Sequence, residues 1–312
     1  MSKGLLKLRD SMTLTEILVA MVLVGVLLSA TFYVFSNFFS ATFSHEKVSL
    51  EQVDIQVAAD FTKWDIMMAG FGLPSQEMPI EITDNGGYNG SDIVTLRATS
   101  FGVGGKRARW TYILSPSVGV PQITVRRWDN SDDLVVGDVI TILTPTGQRV
   151  GMPRYRVVSL APTIMPDSTH AYIVQLDNIV STGRNFVFPL ADTSGEEVIT
   201  YSLSGDTLYR NNDAFVSNVA DFQVSFWLDL DGDRQQDSDE IVYDLSSVIS
   251  NPSLIKNIRL IKLNVLTATP QAQSYITPFD SIVVCNNVVY VSDIGEHKRY
   301  NIWESSVCPR NF

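Results

Sequence analysis

The densest run of oxygen ligands in this 312-residue chain is Asp229-Leu230-Asp231-Gly232-Asp233-Arg234-Gln235-Gln236-Asp237-Ser238-Asp239-Glu240. Counted from Asp229, side-chain oxygens fall at positions 1, 3, 5, 7, 9 and 12, supplied by Asp229, Asp231, Asp233, Gln235, Asp237 and Glu240; position 7 also offers a main-chain carbonyl. That is the spacing with which a 12-residue loop wraps Ca²⁺. The turn glycine expected at position 6 is absent, since Arg234 stands there and Gly232 falls at position 4. The flanking segments read as strands, so a helix–loop–helix calcium hand is excluded. The same residues also read as a solvated acidic hairpin tip. Six acids within this stretch repel one another unless a cation or solvent intervenes.

Other reactive residue types are sparse. His45, His170 and His297 lie far apart, and none neighbours a Ser or Cys nucleophile in a recognisable spacing. Gly102-Val103-Gly104-Gly105 lacks the strand–turn–helix setting of a phosphate-binding loop and reads as a surface turn. Lys106-Arg107-Ala108-Arg109-Trp110 and Arg126-Arg127-Trp128 mix bases with aromatics, which cation–π pairs on strands explain without a nucleic-acid partner. Catalysis is therefore not expected. Cys285 and Cys308 are the only cysteines. In an oxidising compartment two cysteines usually pair; two free thiols or metal ligation are the other readings.

The elements that carry these residues are unlike one another. The chain is 45% hydrophobic yet carries a net charge of −11, and its 18% charged residues fall below the usual share of about 25%. An acidic chain makes a poor nucleic-acid binder, because phosphate contacts need a basic footprint. The apolar excess is concentrated at the N-terminus, where residues 17–44 contain no charge. Such a run is long enough to cross a bilayer as a helix, which takes about 20 residues. It is too long for the apolar region of an ordinary cleaved secretory signal, about 7–15 residues. Lys3, Lys7 and Arg9 precede it with Asp10 the only acid, so the short N-terminus stays cytoplasmic and everything after residue 44 is exported; without residues 1–11 the chain carries −13, so the exported part is the acidic part. Glu16 stands at the head of the run, where an unpaired carboxylate is costly and a functional partner is the default expectation.

Ser11-Met12-Thr13-Leu14-Thr15-Glu16-Ile17-Leu18 resembles the class III signal of type IV pilins and pseudopilins. The resemblance implies cleavage between Ser11 and Met12 by a prepilin peptidase, N-methylation of Met12, and retention of the apolar helix. Glu16 then becomes the fifth residue of the mature chain and neutralises a neighbouring subunit's new ammonium during filament assembly. The family usually has Gly before the cut and Phe after it, where this chain has Ser11 and Met12.

Helical patterning continues past the membrane run, with Val48, Leu50, Val53, Ile55, Val57, Ala58, Phe61, Trp64 and Ile66 on a mixed apolar face. One helix over about 13–69 is expected, on the order of 85 Å long, stopped by Gly70-Phe71-Gly72-Leu73-Pro74. Beyond it the reading is β. Strands are expected over 93–96, 110–114, 123–125, 139–143, 155–160, 172–176, 198–203, 222–228, 258–266 and 282–291, with a hairpin at Ser204-Gly205-Asp206.

Several segments resemble one branch of that superfamily, the PilW-type minor pilins: Asp60-Phe61 and Trp64–Gly72 at the helix end, Ile199–Leu203 followed by Leu208-Tyr209-Arg210, Val216–Val224 running into Asp229–Asp233, and Ile255–Arg259. The hairpin is shared with J-type pseudopilins of type II secretion, while K-type pseudopilins lack the glutamate supplied by Glu16. The resemblance implies an α+β, type IV pilin-like fold. Residues 1–11 form a leader, 12–44 the transmembrane and filament-core helix, 45–70 its amphipathic half, and 71–312 a β-rich head. It also implies a Cys285–Cys308 bridge like the C-terminal disulfide loop of many pilins. The implied role is assembly and priming of a pilus, in a tip complex with other minor pilins and the major pilin, through the inner-membrane assembly platform. The chain would be single-pass in the inner membrane, head periplasmic, before entering the extracellular filament. A secretion pseudopilus, or a sensor or adhesin on an uncleaved anchor, is the alternative setting.

Overall fold

The computed structural model describes residues 14–102, 108–129, 131–191, 195–271, 276–290 and 297–311. It has one long N-terminal helix followed by a β-rich domain, an α+β arrangement. The helix, α1, runs Leu14–Met68. Two compact units divide at its interior, Met1–Val53 and Asp54–Phe312.

In the first unit the helix is apolar all round. Leu18, Val19, Met21, Val22, Leu23 and Val24 are each more than half exposed, as are Leu27, Leu28, Phe32 and Phe35. Successive residues turn by about 100°, so these side chains cover the whole circumference. Where hydroxyls occur they are satisfied locally: Ser29, Thr31 and Thr42 donate to the carbonyls of Gly25, Leu27 and Phe38. This is the i−4 back-bonding that lets a polar side chain sit in an apolar medium.

In the second unit the last turns of α1 become one-sided. Ile55, Ala58, Ala59, Thr62, Asp65, Ile66 and Ala69 are buried, a 3–4 spacing, while Val57, Phe61 and Trp64 face outward. The expected mixed face therefore divides, with the aromatics on the solvent side and small residues toward the sheets. The helix stops where the sequence stops it. Gly70 (φ 83) and Gly72 (φ 69) adopt left-handed conformations, and a Cβ on Gly70 would lie 2.5 Å from the Asn311 carbonyl oxygen.

Chain order continues with β1 (Ile80–Thr83) and β2 (Ile93–Ala98), then β3 (Thr111–Ser115), β4 (Ser117–Arg126), β5 (Val139–Leu143), β6 (Tyr155–Ile164), β7 (His170–Thr182) and β8 (Phe186–Pro189). After them come β9 (Glu197–Ser204), β10 (Thr207–Arg210), β11 (Asp213–Ser217), β12 (Val219–Leu228), β13 (Ile241–Val242) and the short α2 (Ser246–Ser250). The chain closes with β14 (Ile258–Pro270), β15 (Ser281–Val284), β16 (Asn287–Tyr290) and β17 (Lys298–Val307).

A five-stranded sheet, β1-β2-β9-β10-β11, and a four-stranded sheet, β13-β12-β14-β17, share one core with the end of α1. Ile66, Leu96, Ile199, Phe222, Phe226 and Ile261 lie in it. The hairpin expected at Gly205 is present, with Ser204 opposite Thr207. Strands β3 to β8 form a separate closed barrel in the order β3-β4-β7-β6-β5-β8, with its own core of Ile113, Ile123, Val125, Ile140, Tyr155 and Val174 among others. Within it, β4 lies beside β7 rather than β5, a Greek-key return. This barrel sits between β2 and β9, which pair directly with each other. The single strand expected over 282–291 is instead the β15–β16 hairpin, because the backbone reverses at Cys285 (φ 52).

Candidate functional site

Glu16 lies in the first turn of α1, in the apolar unit. The processing residues Ser11 and Met12 fall outside the described residues, as do residues 1–10 of the leader.

At the other end of the helix, three segments singled out in the sequence meet at one carboxylate. Asp65, fully buried, accepts the Tyr201 hydroxyl at 2.5 Å and the Arg210 Nε at 2.7 Å, with Arg210 Nη2 at 3.2 Å from its second oxygen. Tyr201 lies on β9 and Arg210 on β10, so the hairpin delivers both partners to the helix. Burial and the adjacent carboxylate push the Tyr201 hydroxyl above its ordinary pKa. For the Arg210 guanidinium burial acts in the opposite direction, but hydrogen bonding to Asp65 outweighs it and raises the pKa. Asp65 sits at a core-facing position of the helical period, and an acid on that face was the signal in the sequence for such a partner. Beside it, Trp64 Nε1 donates to the Phe101 carbonyl at 2.8 Å.

The acidic run is the β12–β13 connection, with Trp227 opposite Ile241 closing it. Carboxylate oxygens of Asp229, Asp231 and Asp233 lie within 4.8 Å of one another. Arg234 itself adopts φ 63 and Gly232 φ 84, so the turn is made without a glycine at position 6. Only part of the expected ligand set converges, however. Glu240 is buried and turned inward, accepting Trp227 Nε1 at 2.9 Å and the Leu230 amide at 2.7 Å; these bonds hold its carboxyl below its ordinary pKa. Asp237 is exposed and lies outside the convergence; local desolvation and then the charges of Asp233, Asp239, Glu240 and Asp231 raise its pKa. Gln235 donates its side-chain amide to Asp233 at 3.2 Å. Desolvation opposes ionisation of Asp229, but the Arg259 guanidinium at 2.9 Å and the Gly232 amide outweigh it and lower its pKa. Asp229, Asp231 and Asp233 are the residues that could hold a hard cation, while Glu240 serves as the latch that closes the hairpin.

The cysteines do not form the expected bridge. Both are free thiols. Cys285 occupies the β15–β16 turn with its Sγ 2.8 Å from Asn264 Nδ2 on β14, whereas Cys308 follows Val307, which pairs with Ile261. Three residues along a strand is about 10 Å, beyond the Cα separation of roughly 4.4–6.8 Å that a disulfide tolerates. Cys285 is half-buried, and that burial raises its thiol pKa, which lowers its reactivity.

Comparison with protein-family models, with curated proteins and with solved structures finds no match.

The basic–aromatic segment of β4 behaves as its composition suggests. Arg126 lies 5.2 Å over the Trp128 ring and Arg127 5.2 Å over Tyr172. Arg109 pairs with Asp138 at 2.8 Å. His170 pairs with Asp129 on the surface at 2.5 Å. Where the barrel meets the main sheet, a polar cavity of about 200 Å³ is lined by Glu77, Glu196, Arg149 and Arg154. Arg149 holds Glu77 at 2.5 Å. Burial, then the facing Glu77 carboxyl, pushes Glu196 up to about 7.

Proposed function

We propose that this chain is a minor pilin of the PilW type that takes part in assembly and priming of a type IV pilus. The observation that carries this reading is the apolar circumference of α1 over its first unit, headed by Glu16. A helix apolar on every side needs lipid or other apolar helices around it. A single purposeful carboxylate at its start gives those helices an axial register, since pairing it with a neighbour's ammonium satisfies two charges that are costly alone. Within the second unit, exposed Val57, Phe61 and Trp64 offer apolar surface to adjacent subunits of a filament.

On this reading the prepilin peptidase cuts between Ser11 and Met12, Met12 is N-methylated, and α1 waits in the inner membrane with the β domain in the periplasm. The assembly platform then transfers the helix into the filament beside other minor pilins and the major pilin. The chain's work is assembly rather than catalysis. Ca²⁺ at Asp229, Asp231 and Asp233 would stiffen the β12–β13 connection. Mass spectrometry of the mature N-terminus tests the reading: N-methyl-Met12 is expected, and an intact Met1 on the membrane-inserted protein overturns it in favour of an uncleaved anchor.

A further inference from the structure

A further concavity of the β domain lies away from the acidic loop and from the Asp65 cluster. It is a groove of about 490 Å³ lined by Tyr88, Tyr290, Tyr300, Asn89, Asp206 and Lys298, among others. That volume lies within the range of small-ligand sites. Tyr88 is 50% and Tyr290 75% exposed. Tyr300 is backed by Phe279, edge to face at 5.7 Å.

The segments bearing these rings are tied down by buried polar groups that the proposed assembly role does not use. Asp92 accepts the amides of Asn85 at 3.0 Å and Val224 at 2.7 Å. Asp221 accepts the side-chain amides of Gln223 at 3.0 Å and Asn287 at 3.1 Å. Gln223 also donates to the Gly90 carbonyl at 2.8 Å, and Asn287 to that of Asn89 at 3.4 Å. Asp92, Asp221 and Gln223 are fully buried. Burying two carboxylates is expensive without such partners. Here their bonds fix the irregular turn that presents Tyr88, where Asn89 and Gly90 both have positive φ, and join it to β16, which presents Tyr290. Asn and Gly adopt that conformation at little cost, so the turn is held without strain, and rigid support behind exposed aromatics is the arrangement of a pre-organised binding site.

The lining selects the ligand class. Tyrosine faces suit flat, weakly polar surfaces, while Asn89, Asp206 and Lys298 offer donors and acceptors of both signs around them. An apolar ligand would cover the exposed polar groups of Asn89 and Asp206 without pairing them, and one acid with one base favours no strongly charged ligand. We propose that this groove is a carbohydrate-recognition site that takes the rings of an oligosaccharide against Tyr88 and Tyr290, with Asn89, Asp206 and Lys298 meeting ring hydroxyls.

The test uses the fluorescently labelled full chain in a zwitterionic detergent, since glycosidic detergents would compete. The probe is an immobilised array of defined mono- to tetrasaccharides, with captured sugars then titrated free in solution. Capture of at least one oligosaccharide is expected. Tyr290→Ala and Tyr88→Ala should each weaken it by roughly tenfold or more, as loss of an aromatic anchor does, while Tyr290→Trp retains it. Because Tyr290 is so exposed, its alanine variant should melt with the wild type, which separates lost binding from lost folding. No captured sugar, or capture that both alanine variants leave unchanged, overturns the proposal.

Discussion

Replacing Arg210 by Met asks what the Asp65 cluster is worth. Arg210 supplies two of the three contacts that Asp65 receives, at 2.7 and 3.2 Å, and Tyr201 supplies the third. The carboxylate is fully buried, so removing the guanidinium leaves a charge that water cannot reach. Breaking one side of a buried pair costs about 3–5 kcal/mol. The lower half of that range is expected, because the Arg210 side chain is 19% exposed and water softens the loss. For a domain of this size each kcal/mol shifts Tm by about 2–4 °C, so Arg210→Met should lower Tm by roughly 6–16 °C. Circular dichroism melts of the full chain in detergent read this directly. Asp65→Asn, which keeps an acceptor for Tyr201, should cost less, and Asp65→Asn with Arg210→Met should recover about 1–3 kcal/mol relative to the sum of the single changes. Should Arg210→Met melt within about 1 kcal/mol of wild type, or the two changes simply add, Asp65 is not held by this pair and the argument fails.

Glu16→Val should leave membrane insertion intact while reducing recovery in sheared filaments severalfold; normal incorporation would refute its assembly role. Saturating Ca²⁺ should raise Tm by an amount corresponding to about 1–3 kcal/mol, and chelator or paired Asp231→Asn and Asp233→Asn substitutions should remove the gain. A melt indifferent to chelator excludes the site. Burial pushes Asp92 up to about 7, and Glu196 reaches about 7 by burial and its Glu77 neighbour. Both folded-state values lie above the unfolded ones near 4, so the stability they contribute is complete below about pH 4 and lost as pH rises toward 7. Asp92→Asn and Glu196→Gln should each flatten the fall in Tm over that interval, and a variant that declines as steeply as wild type contradicts the assignment.

Much of the architecture was legible because it is written locally. Nine of the ten expected strand runs fall on observed strands, since β-branched runs bounded by turn residues carry their own signal. The exception, 282–291, failed because Cys285 and Asn286 make a tight turn inside an otherwise apolar run. What stayed hidden depends on pairing across distance. Barrel closure rests on Thr111 opposite Val187, and no local pattern records that register. The outward placement of Phe61 and Trp64 was obscured because apolar residues also occur on the solvent side of the helix end, among Asp54, Asp60 and Lys63. The calcium spacing was read correctly as a loop between strands, but spacing could not show that Glu240 is claimed by Trp227 and the Leu230 amide.

The position of the barrel has a consequence for how this chain can vary. Its two ends leave from β2 and β9, strands already hydrogen-bonded side by side from Val94–Tyr201 to Ala98–Glu197. The main sheet thus closes the excursion with its own pairing, and because loop-closure entropy grows only slowly with length, lengthening or shortening it changes little for the sheet. With a core of its own, the barrel can vary in surface and in length without touching the strand pairing beneath it, so long as the contacts that seat it, such as Phe188 against Phe71 and Arg149 against Glu77, are kept.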